Sequence, residues 1–531
     1  MARKPVSSVD TAWLRMEDPT NLMLITGVMV FSAPMEYERL RLTVENRLLR
    51  FDRFRQRVAA STTGRFYWED DPDFDINYHL ARASLPPPRD QATLQDLASL
   101  LASTQLDASK PPWQLHLVEE YGEGCALICR LHHCIGDGLA LVHVLLSLTD
   151  KGPDAPWPVF TPATRHERGR RPLDRILQPS RAALRSTRRM ANLMMDQCQA
   201  IRDDSSHAAD LVRTGGRASY ALARLAAYWP DPKTIFKGSL GIGKQAAWSE
   251  AIPLNDVKAI GAGLGGTVND VLLTAMSGAL RRYLQSRNQA VDRLDFRAIV
   301  PVNLRAPGKE EELGNKFGLV FLSLPIGIAD PQQRLQELKR RMDGLKGSLE
   351  APVAFGILTT IGASPQPLQD LVVKFFGTKG TGVMTNVIGP RQEIYLAGVP
   401  LESLMFWVPQ SGRLGLGVSI LSYNDRVWLG VITDRGLVPD PERIVDGFEA
   451  EFTALQQAAQ ESRDVSGLEE ATRQLDETLK ALETMPPEGA AESEEAATRA
   501  VERCQALTRA GEPCKNPPLA GADFCYVHQE Q

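Results

Sequence analysis

The chain has 531 residues, of which 43% are hydrophobic and 24% charged. This is ordinary globular composition, with length for roughly two to four domains of about 150 residues, and it excludes a disordered chain or a disulfide-stapled miniprotein. The formal net charge is −5, and residues 461–500 alone carry −7, so the remainder is close to neutral and nucleic acid is not an expected partner.

The start, Met1 to Leu14, is basic at first but has no continuous apolar stretch, and no run reaches the roughly 18 apolar residues that a membrane span requires. The expectation is a cytoplasmic protein, with peripheral contact to the inner membrane or to lipid inclusions left open. Seven cysteines are unevenly spread: Cys125, Cys129, Cys134 and Cys198 lie in apolar or helical text, and Cys504, Cys514 and Cys525 cluster near the end. An odd set in this setting points to thiols and metal rather than disulfides.

In chain order, strand-like runs at Leu24 to Phe31 and Cys125 to Leu131 alternate with amphipathic helical text at Tyr37 to Leu49 and Leu94 to Leu106. Residues 1–160 therefore read as a first mixed α and β domain. Residues 161–246 read as a helical connector, opening with nine arginines from Arg165 to Arg189 against only Glu167 and Asp174. Its basic face is either plainly solvated or suited to anionic lipid headgroups, with Leu193, Met194 and Met195 as apolar neighbours. A second mixed domain spans 247–458 and ends in an expected hairpin, where Val418 to Tyr423 and Val427 to Ile432 flank Asn424 and Asp425, residues tolerant of positive φ. Residues 459–500, rich in Glu and Ala with Pro486 and Pro487, read as an exposed helix and then a linker, and 501–531 as a small separate tail.

The apolar run Gly124 to Leu131 leads directly into His132, His133, Cys134, Ile135, Gly136, Asp137 and Gly138, and then into a helical run from Leu139 to Leu148. Adjacent strand residues point to opposite faces, so His132 and His133 cannot share one role. One is a candidate general base. Two satisfied strand-end histidines would look the same in sequence, whereas a metal site lacks a third ligand at suitable spacing. Asp137 stands where it can cap the following helix or pair with a distant Arg, and Gly136 and Gly138 allow a tight turn.

The HHxxxDG pattern at a strand edge resembles the acyltransferase superfamily that includes chloramphenicol acetyltransferase and peptide-synthetase condensation domains. Ser8 to Ile25 (with Asp10, Trp13, Glu17, Pro19, Thr20 and Asn21), Leu106-Asp107, Pro111 to Trp113, Thr267 to Asp270, Pro301 to Arg305, Leu313 to Asn315 and Asn386 to Pro390 narrow the match. Together they resemble bacterial wax ester synthase/diacylglycerol acyltransferases over about residues 5–458. Two departures stand out: Pro112 replaces the usual Leu before Trp113, and Ile388 replaces the first proline of Asn-Val-Pro-Gly-Pro. The resemblance implies an α/β fold of two chloramphenicol-acetyltransferase-like mixed-sheet domains. It also implies acyl-CoA-dependent O-acylation of diacylglycerol or a long-chain alcohol, with no catalytic cofactor and acyl-CoA as co-substrate. His133 would be the base, with His132, Asp137 and Gly138 shaping the motif. A non-catalytic lipid-binding or scaffold protein on the same fold is the alternative.

In the second half, Thr267 can cap a helix with apolar residues at three and four spacing from Val268 to Tyr283, placing Asn269 and Asp270 in its first turn. An amide at a helix N-terminus can stabilise charge developing on an oxygen; supporting the helix start is the plainer role, and Asp270 is assigned to it. In the tail, Cys504, Cys514, Cys525 and His528 form C-x9-C-x10-C-x2-H, four ligands suited to tetrahedral Zn2+ in a segment too short for its own core. The tail resembles small Cys3His knuckles; unpaired thiols are the alternative, and a protein partner is its expected use.

Overall fold

The computed structural model describes residues 3–62, 64–156, 227–304, 314–346, 350–364, 366–410, 413–484, 506 and 511–515. Most of the Arg-rich connector, including Arg165 to Arg189 and Leu193 to Met195, lies outside the described residues, as do Cys504, Cys525 and His528.

Within residues 3–462 the strands build two seven-stranded mixed sheets. In spatial order the first comprises Leu80–Ala83, Trp113–Tyr121, Gly124–His132, Leu24–Phe31, Val399–Trp407, Tyr395–Leu396 and Thr149–Asp150. The second runs Ile252–Pro253, Arg426–Asp434, Leu416–Tyr423, Gly382–Ile388, Phe296–Asn303 and Phe317–Leu324, with Lys244–Trp248 also paired to Arg426–Asp434. A small sheet of Lys4–Pro5, Phe66–Asp70 and Gln56–Ala60 stands beside the first.

The expected hairpin forms where placed. Tyr423 pairs with Arg426, and Asn424 and Asp425 adopt φ of 47° and 54°, the double left-handed turn that suits the twist of the flanking strands. The motif strand extends one residue beyond Leu131, so His132 is its last member, opposite Leu24.

Residues 395–407 depart from a simple division into contiguous halves. Val399–Trp407 is antiparallel to Leu24–Phe31, with Phe406 opposite Gly27 and Trp407 opposite Thr26, so the first sheet is completed by chain from the second half. Alternating burial marks such a segment as a strand but does not name its partner. Here the partner choice buries Trp407 to 1% exposure and carries Met405 and Trp407 against the second sheet at Gly430, where a Cβ would collide with both. The apolar faces thus join the sheets through one continuous core that includes Met405, Trp407, Trp248 and Ile432.

The helix Val268–Ser286 starts on a reciprocal cap. The Thr267 side chain accepts from the Asp270 N–H, and the Asp270 carboxylate accepts from the Thr267 N–H at 2.9 Å. Its residues Val271, Ala275, Met276, Ala279 and Leu280 are fully buried on the second sheet. No single helix among the described residues is long and apolar enough to cross a membrane. The last helix runs from Glu442 to Thr484, starting well before residue 459. Ile444, Phe448, Phe452 and Leu455 bury its first half in the second core. Residues 463–531 are a separate unit in which Val465, Leu468, Leu475 and Leu479 are exposed.

Candidate active site

Gly124–His132 ends at the junction of the two sheets, and there the chain turns sharply. The Ile135 N–H donates to the His132 carbonyl at 3.0 Å, and the helix Gly138–Leu148 then begins with Asp137 as its cap, accepting from the Ala140 N–H at 3.1 Å. The capping role expected for Asp137 is present. Its other carboxylate oxygen accepts from the Lys316 N–H at 2.9 Å, tying the motif helix to the entry of the second-sheet strand Phe317–Leu324.

His133 is held on several sides. Its N–H donates to the Met23 carbonyl at 2.8 Å, and its carbonyl accepts from Asn315 Nδ2 at 2.8 Å. The same Nδ2 donates to Asp10 Oδ1 at 2.8 Å, and Asp10 is paired through its other oxygen with Arg53 at 3.3 Å. Arg53 also donates to the carbonyls of Cys134 and Ile135 at 2.9 and 2.7 Å. The imidazole stacks on Trp13 with centroids 4.3 Å apart and lies 5.8 Å from the Phe317 ring. This dry, aromatic setting dominates its protonation: burial pushes the pKa of His133 down to about 4, and Asp137, which favours the charged form, only partly offsets it. At neutral pH the ring is therefore uncharged and able to accept a proton.

His132 faces different surroundings, as strand alternation requires. Its Nδ1 accepts from the Cys134 N–H at 3.1 Å, and its Nε2 lies 3.4 Å from Glu17 Oε2. Burial disfavours a charge on this ring, while Cys134 and Glu17 outweigh burial and raise its proton affinity above the ordinary histidine value. A ring with one nitrogen receiving a backbone N–H and the other facing a carboxylate is an anchor for the loop.

Asn269 and Asn386, from two separate motifs, meet directly: Asn386 Nδ2 donates to Asn269 Oδ1 at 2.9 Å. Asp270 is buried in the helix cap, as expected. Ile388, at the end of its strand opposite Ser422, is 76% exposed. Pro112 leaves Trp113 fully buried, with its indole N–H donating to the Phe54 carbonyl at 2.9 Å.

Sequence reading gave no role to Arg53, to Asn315 or to the buried pair of Lys244 and Asp434. Lys244 Nζ lies 2.8 Å from Asp434 Oδ2 and also donates to the Thr20 carbonyl at 2.7 Å, joining the first-sheet opening to the second sheet. A narrow cavity beside it is lined by Leu24, Thr26, Lys244, Trp407, Gln410 and Ile432. The Leu-Gly-Asn triplet at 313–315 was the available signal for Asn315; Lys244 and Asp434 sit in text with no motif.

Among the described residues, Cys125, Cys129, Cys134 and Cys514 are free thiols. Burial raises Cys125 to about 11 and Cys129 to about 12, so neither supplies a thiolate at neutral pH. No group of three or more His, Cys, Asp or Glu among the described residues is placed to hold a metal, which includes the surroundings of His132 and His133.

The family model for the wax ester synthase/diacylglycerol acyltransferase catalytic domain matches residues 6–272, and the corresponding C-terminal domain model matches 313–456. This chain belongs to that family. Among its relatives in Mycobacterium tuberculosis (strain ATCC 25618 / H37Rv), one named "Probable diacylglycerol O-acyltransferase tgs1" is 27% identical over 454 residues, covering 84% of this chain and 94% of the relative. Another, named "Probable diacylglycerol O-acyltransferase tgs2", is 27% identical over 469 residues, covering 85% and 98%. Among solved structures, the wax ester synthase/diacylglycerol acyltransferase from Marinobacter aquaeolei VT8 superposes with a TM-score of 0.62 at 21% identity, covering 86% of this chain and 100% of that one. The first condensation domain of the calcium-dependent antibiotic synthetase superposes with a TM-score of 0.53 at 14% identity, covering 86% and 96%. These likenesses carry the fold: two mixed sheets with the histidine motif at their junction.

Proposed function

We propose that this chain transfers a long-chain acyl group from acyl-CoA to the hydroxyl of diacylglycerol, a long-chain alcohol, or both, with His133 as general base. The observation that carries the reading is the His133 ring, neutral, stacked on Trp13 beside Phe317 and fixed in place through Asn315, Met23 and Arg53. In the reaction His133 takes the hydroxyl proton as the oxygen attacks the thioester carbonyl, and CoA leaves as the thiolate and is reprotonated. Direct transfer needs no acyl-enzyme, in keeping with the protonated state of Cys125 and Cys129.

The carbonyl oxygen gains charge in the transition state, and Asn269 is the side chain assigned to it. Because Asn386 occupies its Oδ1, the Asn269 amide nitrogen is the group left to donate. His132, Asp137 and Gly138 shape the loop. The diacylglycerol acceptor is supported by the names of the mycobacterial relatives, and the alcohol acceptor by the family description. The test is to supply purified protein with palmitoyl-CoA and either dioleoylglycerol or hexadecanol, reading free thiol and neutral lipid. Thiol release coupled to triacylglycerol or wax ester supports the reading. A folded protein that binds these lipids without turnover would instead make it a lipid-binding scaffold.

For the tail we infer a Zn2+ site formed by Cys504, Cys514, Cys525 and His528. What supports it is the chemistry and spacing of the four ligands, together with Cys514 lying buried against Ala506 and donating its N–H to the Ala506 carbonyl at 3.0 Å. Metal analysis should give about one zinc per full chain and none in a chain ending at Ser462. Equal zinc in both would place the metal in the main body and overturn the assignment.

A further inference from the structure

At the edge of the second sheet, opposite the end that approaches His133, the surface combines two features that rarely coincide by accident. Trp229 is 83% exposed and Phe375 is 44% exposed, although both are large and apolar. They belong to one network: the Trp229 carbonyl accepts from Arg297 at 3.0 Å, and Lys379 Nζ lies 4.2 Å from the centre of the Phe375 ring and donates to the Tyr228 carbonyl. Arg297 in turn lies over the Tyr228 ring at 4.7 Å.

The charge there is predominantly positive. Lys237 is close enough to both Arg297 and Arg413 that each disfavours its protonation, and Arg297 acts the same way on Lys379. Asp231, buried and 2.9 Å from Arg297, is the acid in contact with this group, so four cations surround one carboxylate. Exposed Trp and Phe among Lys and Arg side chains are what an interface with anionic headgroups requires. The rings displace interfacial water and enter the acyl boundary, while the cations remain at headgroup level.

The interior behind this surface is apolar in the direction of the active site. Tyr228 packs on Phe321 at 5.9 Å, and Phe321, Leu319 and Phe317 occupy alternate positions, hence one face, of a single strand. Leu319 packs against both the cluster holding Phe321 and the cluster holding Trp13 and Phe317. Four strand residues span about 13 Å, and the far end, Phe317, is 5.8 Å from the His133 ring.

We propose that the surface formed by Trp229, Phe375, Lys237, Lys379, Arg297 and Arg413 docks this protein on an anionic lipid surface. The Tyr228 to Phe317 face would then pass lipid substrate toward His133. The identity of the substrate rests on the acyltransferase reading; docking itself does not.

The test is flotation of the full-length protein with phosphatidylcholine vesicles containing 30% phosphatidylglycerol, against pure phosphatidylcholine vesicles, with Trp229→Ala/Phe375→Ala and Lys237→Glu/Arg413→Glu as variants. None of these residues belongs to the catalytic set. Wild type should bind the anionic vesicles preferentially, and each double variant should lose about tenfold or more in partition, while turnover of a water-soluble short-chain acceptor stays unchanged. Wild-type partition in both variants would overturn the proposal. So would unchanged vesicle binding accompanied by a raised KM for acyl-CoA, which would assign the cations to CoA phosphates. Vesicle binding without any acyl transfer would retain the docking surface and discard the acyltransferase reading.

Discussion

His133 and Asn269 are contributed by different sheets and are held in different ways. The His133 loop is tied by Asp10, Arg53, Asn315, Met23 and Asp137, groups drawn from four separate stretches of chain, and its ring is shielded by Trp13 and Phe317. Asn269 has one described side-chain contact, with Asn386, which is itself exposed. A base must be uncharged and oriented before substrate arrives, and that is achieved by burial and cross-ties. A donor to developing charge works only once a carbonyl oxygen is beside it, so its site stays open until the substrate fills it.

Two aspartates at helix starts sharpen the same contrast. Asp270 satisfies only its own cap, through Thr267. Asp137 caps its helix and also holds Lys316 of the other sheet. Similar local chemistry therefore has a local consequence in one case and a long-range one in the other.

The largest expected effect is at the base: His133→Ala should lower kcat by about 10²-fold or more with the fold retained. Asn315→Ala removes a donor shared by Asp10 and the His133 carbonyl. It should cost about 2 kcal/mol in denaturant unfolding and lower kcat about tenfold, because a buried carboxylate loses a partner and the loop is released. Asn269→Ala should lower kcat several-fold with little change in KM or in melting temperature; a purely structural loss would reduce it to a helix-start residue. The smallest effect is expected for a chain ending at Ser462, which keeps every residue of the site and should retain turnover in detergent within about twofold.

Much of this arrangement was legible from sequence because it is local. The apolar run Gly124 to Leu131 predicts a strand, the glycines around Asp137 predict a turn and cap, and Asn424-Asp425 predicts a hairpin turn; each signal lies within a few residues of its consequence. The Asn315 contact with His133 spans 182 positions, and Arg53 reaches Cys134 across 81. No periodicity records such pairings. Trp13 and Glu17 lay inside a recognisable opening segment, but only the folded chain puts Trp13 on His133 and Glu17 beside His132. The transfer of Val399–Trp407 into the first sheet escaped notice for the same reason: its sequence specifies a strand, and the partner is chosen by the core it completes.

The central claim, that a buried neutral His133 accepts the substrate proton, is tested most directly by the pH dependence of kcat/KM for the unmodified enzyme, followed together with near-ultraviolet circular dichroism. With the ring's pKa depressed to about 4, activity should hold from pH 8 to about 5 and fall only on approach to 4. Stability should decline earlier, from about pH 6.5 downward, because the unfolded histidine takes up a proton that the folded one refuses. An acid limb centred near pH 6.5 in a protein still folded at that pH would mean that an ordinary, solvated histidine governs turnover, and would contradict the account.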